Sequence, residues 1–150
     1  MTVLASSTFR REPAAVPSAR AFVAQTLASL PLTVDVAERL VLAAAEACNN
    51  VVLHAEGDTF AVAVAVDDDD CSIHVTDAGG GFRAPRRRPA MPAADETGHR
   101  GLALMYALVD RVEVSSSAEG TDVVLVQQVA AAAGVTAVPA GGGLTGPLRA

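Results

Sequence analysis

The chain predicts a two-layer α+β sandwich in which helices cover one face of a mostly antiparallel, mixed sheet. Three observations lead there. Two helical patterns come first, an alternating hairpin follows, and a further helix then precedes two more strands. At 150 residues, 51% of them apolar, the chain can bury a core of one domain's size. No internal repeat is visible.

Thr8 to Arg11 reads as a short edge strand before the turn signals Pro13 and Pro17. Phe22, Val23, Thr26, Leu27 and Leu30 recur at helical spacing, and Pro17 suits the first turn of that helix. Leu30-Pro31-Leu32 breaks it. Asp35 with Glu38 resembles a capping pair and opens the second helix, which Gly57-Asp58 closes. Phe60, Val62, Val64 and Val66 alternate with alanines, and Ile73 and Val75 alternate with Ser72, His74 and Thr76, so the two runs form a hairpin. Its tip, Asp67 to Asp70, lacks the spacing and glycine of a calcium loop and reads as a solvated turn. A long Pro- and Arg-rich connection spans Arg83 to Gly98, more in keeping with a lid than with filler. Gly101 is expected to open a third helix, Leu102 to Val109, with Met105 and Tyr106 as packing residues. Val112 and Val114 mark a strand, Ser115 to Gly120 a turn, and Thr121 to Gln128 the last strand. The expected domain is therefore 1–128, and the Ala/Gly/Pro-rich stretch 129–150 reads as a disordered tail.

Composition excludes several functions. A net charge of -6 is the wrong sign for a general nucleic-acid binder. No run of roughly 18 apolar residues is present, and the N-terminus lacks a basic head before an apolar core, so neither a membrane span nor a signal peptide is expected. Cys48 and Cys71 read as small buried hydrophobes in a reducing compartment, and with three scattered histidines they offer no metal-site spacing. The expected location is the cytoplasm.

Chemistry concentrates on the second helix. Glu46, Asn50 and His54 are spaced i, i+4, i+8 and share one stripe of an otherwise apolar helix. One reading is a polar pair satisfied within the core. The other is a cleft, with the Asn50 oxygen available to a hard cation and Glu46 to a proton. Further along, Asp77-Ala-Gly79-Gly-Gly81 ends a strand, where glycines admit a flat ligand close to the backbone and the carboxylate can accept from an exocyclic amine. Gly101-Leu102 at a helix start offers free amides to a phosphate. Gly120-Thr121 adds a hydroxyl at the start of the last strand. Each signal is weak alone, and their order around the Glu46/Asn50 helix is far more specific.

Together these motifs resemble the GHKL (Bergerat-type) ATP-binding fold, and more narrowly the anti-sigma-factor serine/threonine kinases and related ATP-binding regulators. Glu46-Ala-Cys-Asn-Asn50-x-x-x-His54 is similar to the family's N box, Asp77-Ala-Gly79-Gly-Gly81-Phe82 to its adenine-side glycine box, Arg100-Gly101-Leu102 to its phosphate-side box, and Gly120-Thr121-Asp-Val123 to the closing one. The resemblance spans about Thr8 to Gln128. It implies ATP and Mg²⁺ as ligands, with Asn50 on the metal and Glu46 as base or orienting carboxylate. It further implies Asp77 on the adenine amine, Thr121 nearby through water, Gly79 and Gly81 shaping the pocket, and the Gly101 and Leu102 amides on phosphate. Arg20 stands where kinases of the family often carry a basic residue. The implied partners are a sigma factor or its antagonist protein, with pairing of two copies through the first helix and edge strand as a further implication.

The chain departs from the family at His99, where the phosphate box usually has glycine. If that position needs positive φ, His99 costs ~1 kcal/mol there, unless Gly98 takes over by a one-residue shift. Arg83, Arg86, Arg87 and Arg88 in the long connection either clamp triphosphate charge or meet an acidic partner, or simply keep a basic loop soluble. His54 is expected to support the site through a hydrogen bond, and His74 to be structural. Two functions remain open: a regulatory kinase that transfers phosphate to a protein serine or threonine, and an ATP-sensing partner switch with little transfer. The catalytic half of a histidine kinase ranks below both, because no helical hairpin with a phosphoacceptor histidine precedes the first helix.

Overall fold

In the computed structural model, residues 1–77 and 97–129 are described, with the side chains of 97–100 left aside. The elements run β1 (Thr2–Arg10), α1 (Ala15–Ala28), α2 (Val34–His54), β2 (Thr59–Val66), β3 (Asp70–Asp77), α3 (Thr97–Leu108), β4 (Arg111–Ser117) and β5 (Gly120–Gln128). The five strands form one sheet in the order β1-β2-β3-β5-β4, and every pairing is antiparallel, so the sheet is not mixed. The fold is the expected α+β sandwich.

Strand alternation decides which face the helices cover. Phe60, Val62 and Val64 on β2, Ile73 and Val75 on β3, and Val123 and Leu125 on β5 are all buried on one face. Against them lie Ala19, Val23 and Leu27 of α1, Leu40, Ala44, Ala47 and Val51 of α2, and Met105 of α3. The small alanines let α2 sit close to the sheet, between α1 and α3. Cys48 and Cys71 are buried and unpaired, as expected.

Four boundaries differ from the sequence reading. β1 starts at Thr2, because its Ser/Thr/Ala run gains its regularity from pairing with β2, with a register shift between Val3 and Ala5. The cap of α2 is Thr33, whose Oγ1 accepts from the Val36 amide at 3.2 Å, while Asp35 sits in the first turn. α3 begins at Thr97 and not at Gly101. Val129 also belongs to the folded body: it is buried, and its amide donates to the Asp69 carbonyl at 2.7 Å. The connection carrying Arg83, Arg86, Arg87 and Arg88, and the segment 130–150, lie outside the described residues.

Two arginines fasten helix C-termini, where carbonyls lack intrahelical partners. Arg11 Nη1 donates to the Val52 carbonyl near the end of α2 at 2.8 Å, and its Nε to the Gly57 carbonyl. Arg39 Nη1, on α2, donates to the Leu108 carbonyl at the end of α3 at 3.0 Å.

Candidate functional site

Glu46 and Asn50 stand one turn apart on α2, both half-buried, among Ala43, Ala45, Ala47 and Cys48, which are buried. They face α3 at one point. A Cβ built on Gly101 would lie 3.0 Å from Glu46 Oε2, 3.3 Å from Asn50 Oδ1 and 3.8 Å from Asn50 Nδ2. The glycine thus lets the α3 backbone pass directly against the polar pair. The alternative of two polar groups sealed in the core does not hold, since neither residue is fully buried.

The second group lies at one end of the sheet. Asp77 closes β3 and Thr121 is the second residue of β5, and they are register partners, so they share a face. Both are buried, 4% and 2% exposed. Thr121 Oγ1 lies 3.3 Å from Ser116 Oγ on β4. Gly120, with φ of 144°, provides the tight turn before Thr121. A depression of about 270 Å³ opens here, lined by Thr76, Asp77, Ser116, Gly120, Thr121 and Asp122. α2 packs on β3 and β5, the strands that carry Asp77 and Thr121.

Gly101 and Leu102 need correction. They are the fifth and sixth residues of α3, beyond the first turn whose amides are free, so they do not form a helix start. Leu102 is instead a core residue, 4% exposed. His99 lies within the helix, where φ is negative, so the strain expected of a left-handed residue does not arise. Gly79 and Gly81 lie outside the described residues.

His54 is exposed on the last turn of α2, with no hydrogen bond to its side chain among the described residues, so it is not a buried support. His74 sits on the uncovered face of the sheet, its Nε2 3.1 Å from Ser72 Oγ, a structural contact as expected. Arg20 lines a separate groove of about 940 Å³ between α1 and α2, together with Ala24, Leu27, Ala37, Glu38 and Val41. Ser116 was not singled out from the sequence, although continuing the Val112, Val114 alternation puts it on the covered face.

Residues 9–127 match the histidine kinase-like ATPase domain family. The chain belongs to that family. Over 124 residues it is 35% identical to the serine-protein kinase RsbW of Halalkalibacterium halodurans, covering 76% of this chain and 73% of the relative. Its fold is similar to the crystal structure of the RsbU and RsbW domains of a Mycobacterium tuberculosis protein, with a TM-score of 0.60 at 21% identity over 81% of this chain. It is also similar to the histidine kinase domain of a blue-light activated histidine kinase from Erythrobacter litoralis EL346, with a TM-score of 0.51 at 20% identity over 71% of this chain. The chain spans about a third of the first of these structures, 32%, and about half of the second, 51%. The resemblance to the GHKL family is therefore borne out, and the chain is similar to a serine-protein kinase.

The residues present suit the family's ligands. Asn50 Oδ1 and Glu46 are hard oxygen donors on one stripe, the ligand type Mg²⁺ prefers. Among the described residues no group of three or more His, Cys, Asp or Glu side chains could hold a metal by itself.

Proposed function

We propose that this domain binds Mg-ATP and transfers the γ-phosphoryl group to a serine or threonine hydroxyl of a partner protein in transcriptional control. The observation that carries this reading is the Glu46/Asn50 pair held against the α3 backbone at Gly101, in a chain of this family. Asn50 would bind the magnesium ion through its carboxamide oxygen, and the ion would neutralise phosphate charge. Asp77 would accept from the adenine amine, with Thr121 beside it. Glu46 would accept the proton of the attacking hydroxyl as the new oxygen–phosphorus bond forms and the bond to the ADP oxygen breaks. Phosphoryl transfer relies mainly on positioning and charge neutralisation, so few side chains are needed. The relative's name, serine-protein kinase, supports a hydroxyl acceptor. The partner would be a sigma factor or the antagonist protein that releases it, met in the cytoplasm; no helix among the described residues is long and apolar enough to cross a membrane.

One observation favours a second reading. With α3 starting at Thr97, the Gly101 and Leu102 amides fall beyond the first turn of the helix, where helical hydrogen bonds would leave them less open to a phosphate. An ATP-sensing switch with weak transfer would tolerate that loss. Two measurements separate the readings. Calorimetric titration with ATP, with and without Mg²⁺, should show Mg-dependent binding that Asn50→Ala abolishes while far-UV circular dichroism stays unchanged; equal affinity in the variant would remove Asn50 as the ligand. Labelled ATP incubated with the domain and a co-purified partner should label that partner, and Glu46→Ala should keep nucleotide but lose the label. Binding without any transfer by the unaltered chain would select the switch.

A further inference from the structure

Two points of contact relate α2 to α3. At one, Gly101 of α3 lies against Glu46 and Asn50. At the other, Arg39 Nη1 of α2 donates to the carbonyl of Leu108, the last residue of α3, at 3.0 Å. The helices therefore run antiparallel, and the spacing agrees on both. Leu108 stands seven residues beyond Gly101, and Arg39 seven before Glu46. That is a rise of about 10 Å on either helix. A brace from the sheet stands behind Arg39. Its Nη1 also lies 3.4 Å from the Oε1 of Gln127, which is 6% exposed on β5. Gln127 Nε2 donates to Asp110 Oδ2 at 2.8 Å, and the Gln128 amide donates to the same oxygen at 2.8 Å. Directional bonds thus join β5, α2 and α3 at one guanidinium, a group whose N–H donors point in fixed directions.

We propose that Arg39 is a positioning residue for the magnesium end of the nucleotide site: it fixes how far α3 slides along α2, and so how Glu46 and Asn50 align against Gly101. This rests on the nucleotide reading above. Between the two contacts, packing is a weak guide to axial position. Apolar contact has no direction, and the buried residues of α2 are mostly alanines, whose ridges are low. The Leu108 carbonyl sits at a helix end, where it has no intrahelical partner and takes its donor from a set direction. The two ends of the site also differ in tolerance. Magnesium demands near-ideal octahedral geometry, so a displacement of about 1 Å at Asn50 is costly. Asp77 and Thr121 are held by the backbone ladder between β3 and β5, which does not pass through Arg39. Losing the clasp therefore weakens the metal-dependent part of binding and spares the rest. Asp35, on the outer side of Arg39, adds only an exposed ion pair.

Calorimetry tests this by measuring ATP affinity with Mg²⁺ and with the metal chelated, and the quantity read is the factor by which Mg²⁺ tightens binding. The full chain is compared with Arg39→Met, Gln127→Ala and Asp35→Ala, each well below its unfolding midpoint. Arg39→Met keeps the apolar stem and removes the donors, and is expected to cut the factor about tenfold while metal-free affinity holds. Gln127→Ala takes away the brace alone and is expected to cut it about threefold. Asp35→Ala should leave it unchanged. An undiminished factor in Arg39→Met overturns the proposal, as does an equal loss with and without the metal, which would mark Arg39 as mere support. A fall in Asp35→Ala as large as that in Arg39→Met overturns it too. If Arg39→Met does not fold, Gln127→Ala decides by the same criteria. An unaltered chain that gives no heat with ATP refutes the nucleotide reading itself, a different result from any of these.

Discussion

Thr33 sets where the central helix begins. Its hydroxyl satisfies one of the first-turn amides of α2, the helix on which Glu46 and Asn50 are carried. Asp35 is two residues further on, its side chain 78% exposed and 3.0 Å from Arg39 Nε, a pair that solvent weakens. Thr33→Ala is therefore expected to lower stability by about 1 kcal/mol, and Asp35→Ala by less than half of that. Urea unfolding of the two variants checks the order. From the sequence, Asp35 with Glu38 looked like the cap because that pattern is the commoner signature. Which of two nearby polar residues closes the turn depends on backbone angles that the letters do not carry: Thr33 is extended, with ψ of 155°, as a cap must be. Ser116 was overlooked for a related reason. A serine in a serine-rich turn carries no signal until its strand partner is known to be Thr121.

At the scale of elements, the seam between α2 and α3 controls the site. Gly101 is a glycine inside a helix, where alanine normally stabilises by about 1 kcal/mol. Here an added methyl would press on Glu46 Oε2 at 3.0 Å and Asn50 Oδ1 at 3.3 Å. Those atoms end flexible side chains and can move aside, so the fold should tolerate the change while the polar pair loses its alignment. Gly101→Ala is thus expected to raise or hold the unfolding midpoint and to weaken Mg-dependent nucleotide binding about tenfold, a stability gain against a functional loss. Parallel thermal melts and nucleotide titrations test this; undiminished binding would show that the seam does not govern the pair. The far end of α3 is held differently, by Arg39 on the Leu108 carbonyl and, at 3.4 Å, on Gln127 Oε1. Gln127 Nε2 in turn donates to Asp110 Oδ2 at 2.8 Å. No spacing rule links residues 69 or 88 positions apart, so this fastening was invisible until the chain was folded.

Over the whole molecule, the two buried thiols give the fold a pH dependence. Burial pushes Cys48 and Cys71 from 9.0 up to about 12. Below the unfolded value both states keep the proton, and the thiols do not change stability with pH. Above it the unfolded chain ionises while the folded one does not, so stability is lost as pH rises from 9 toward 12. Melting midpoints between pH 8 and 10 should fall, and the slope should shrink in a Cys48→Ala/Cys71→Ala double variant, whatever that variant's starting midpoint. An identical slope would mean that other groups carry the effect. The same burial predicts that neither thiol reacts with an aromatic disulfide reagent at neutral pH unless denaturant is added.

The sequence by itself determined the order of elements, the covered face of each strand, the stripe carrying Glu46 and Asn50, and the family resemblance. These are local properties, written in periods of 2 and 3.6 residues and in short motifs. Tertiary structure alone decided that every strand pair is antiparallel, that α3 starts at Thr97, that Gly101 lies against the polar pair, and that Asp77, Thr121 and Ser116 form one row. Each of those facts joins residues distant in the chain, and such contacts exist only once the packing of the core has chosen among registers and helix placements that local sequence leaves open.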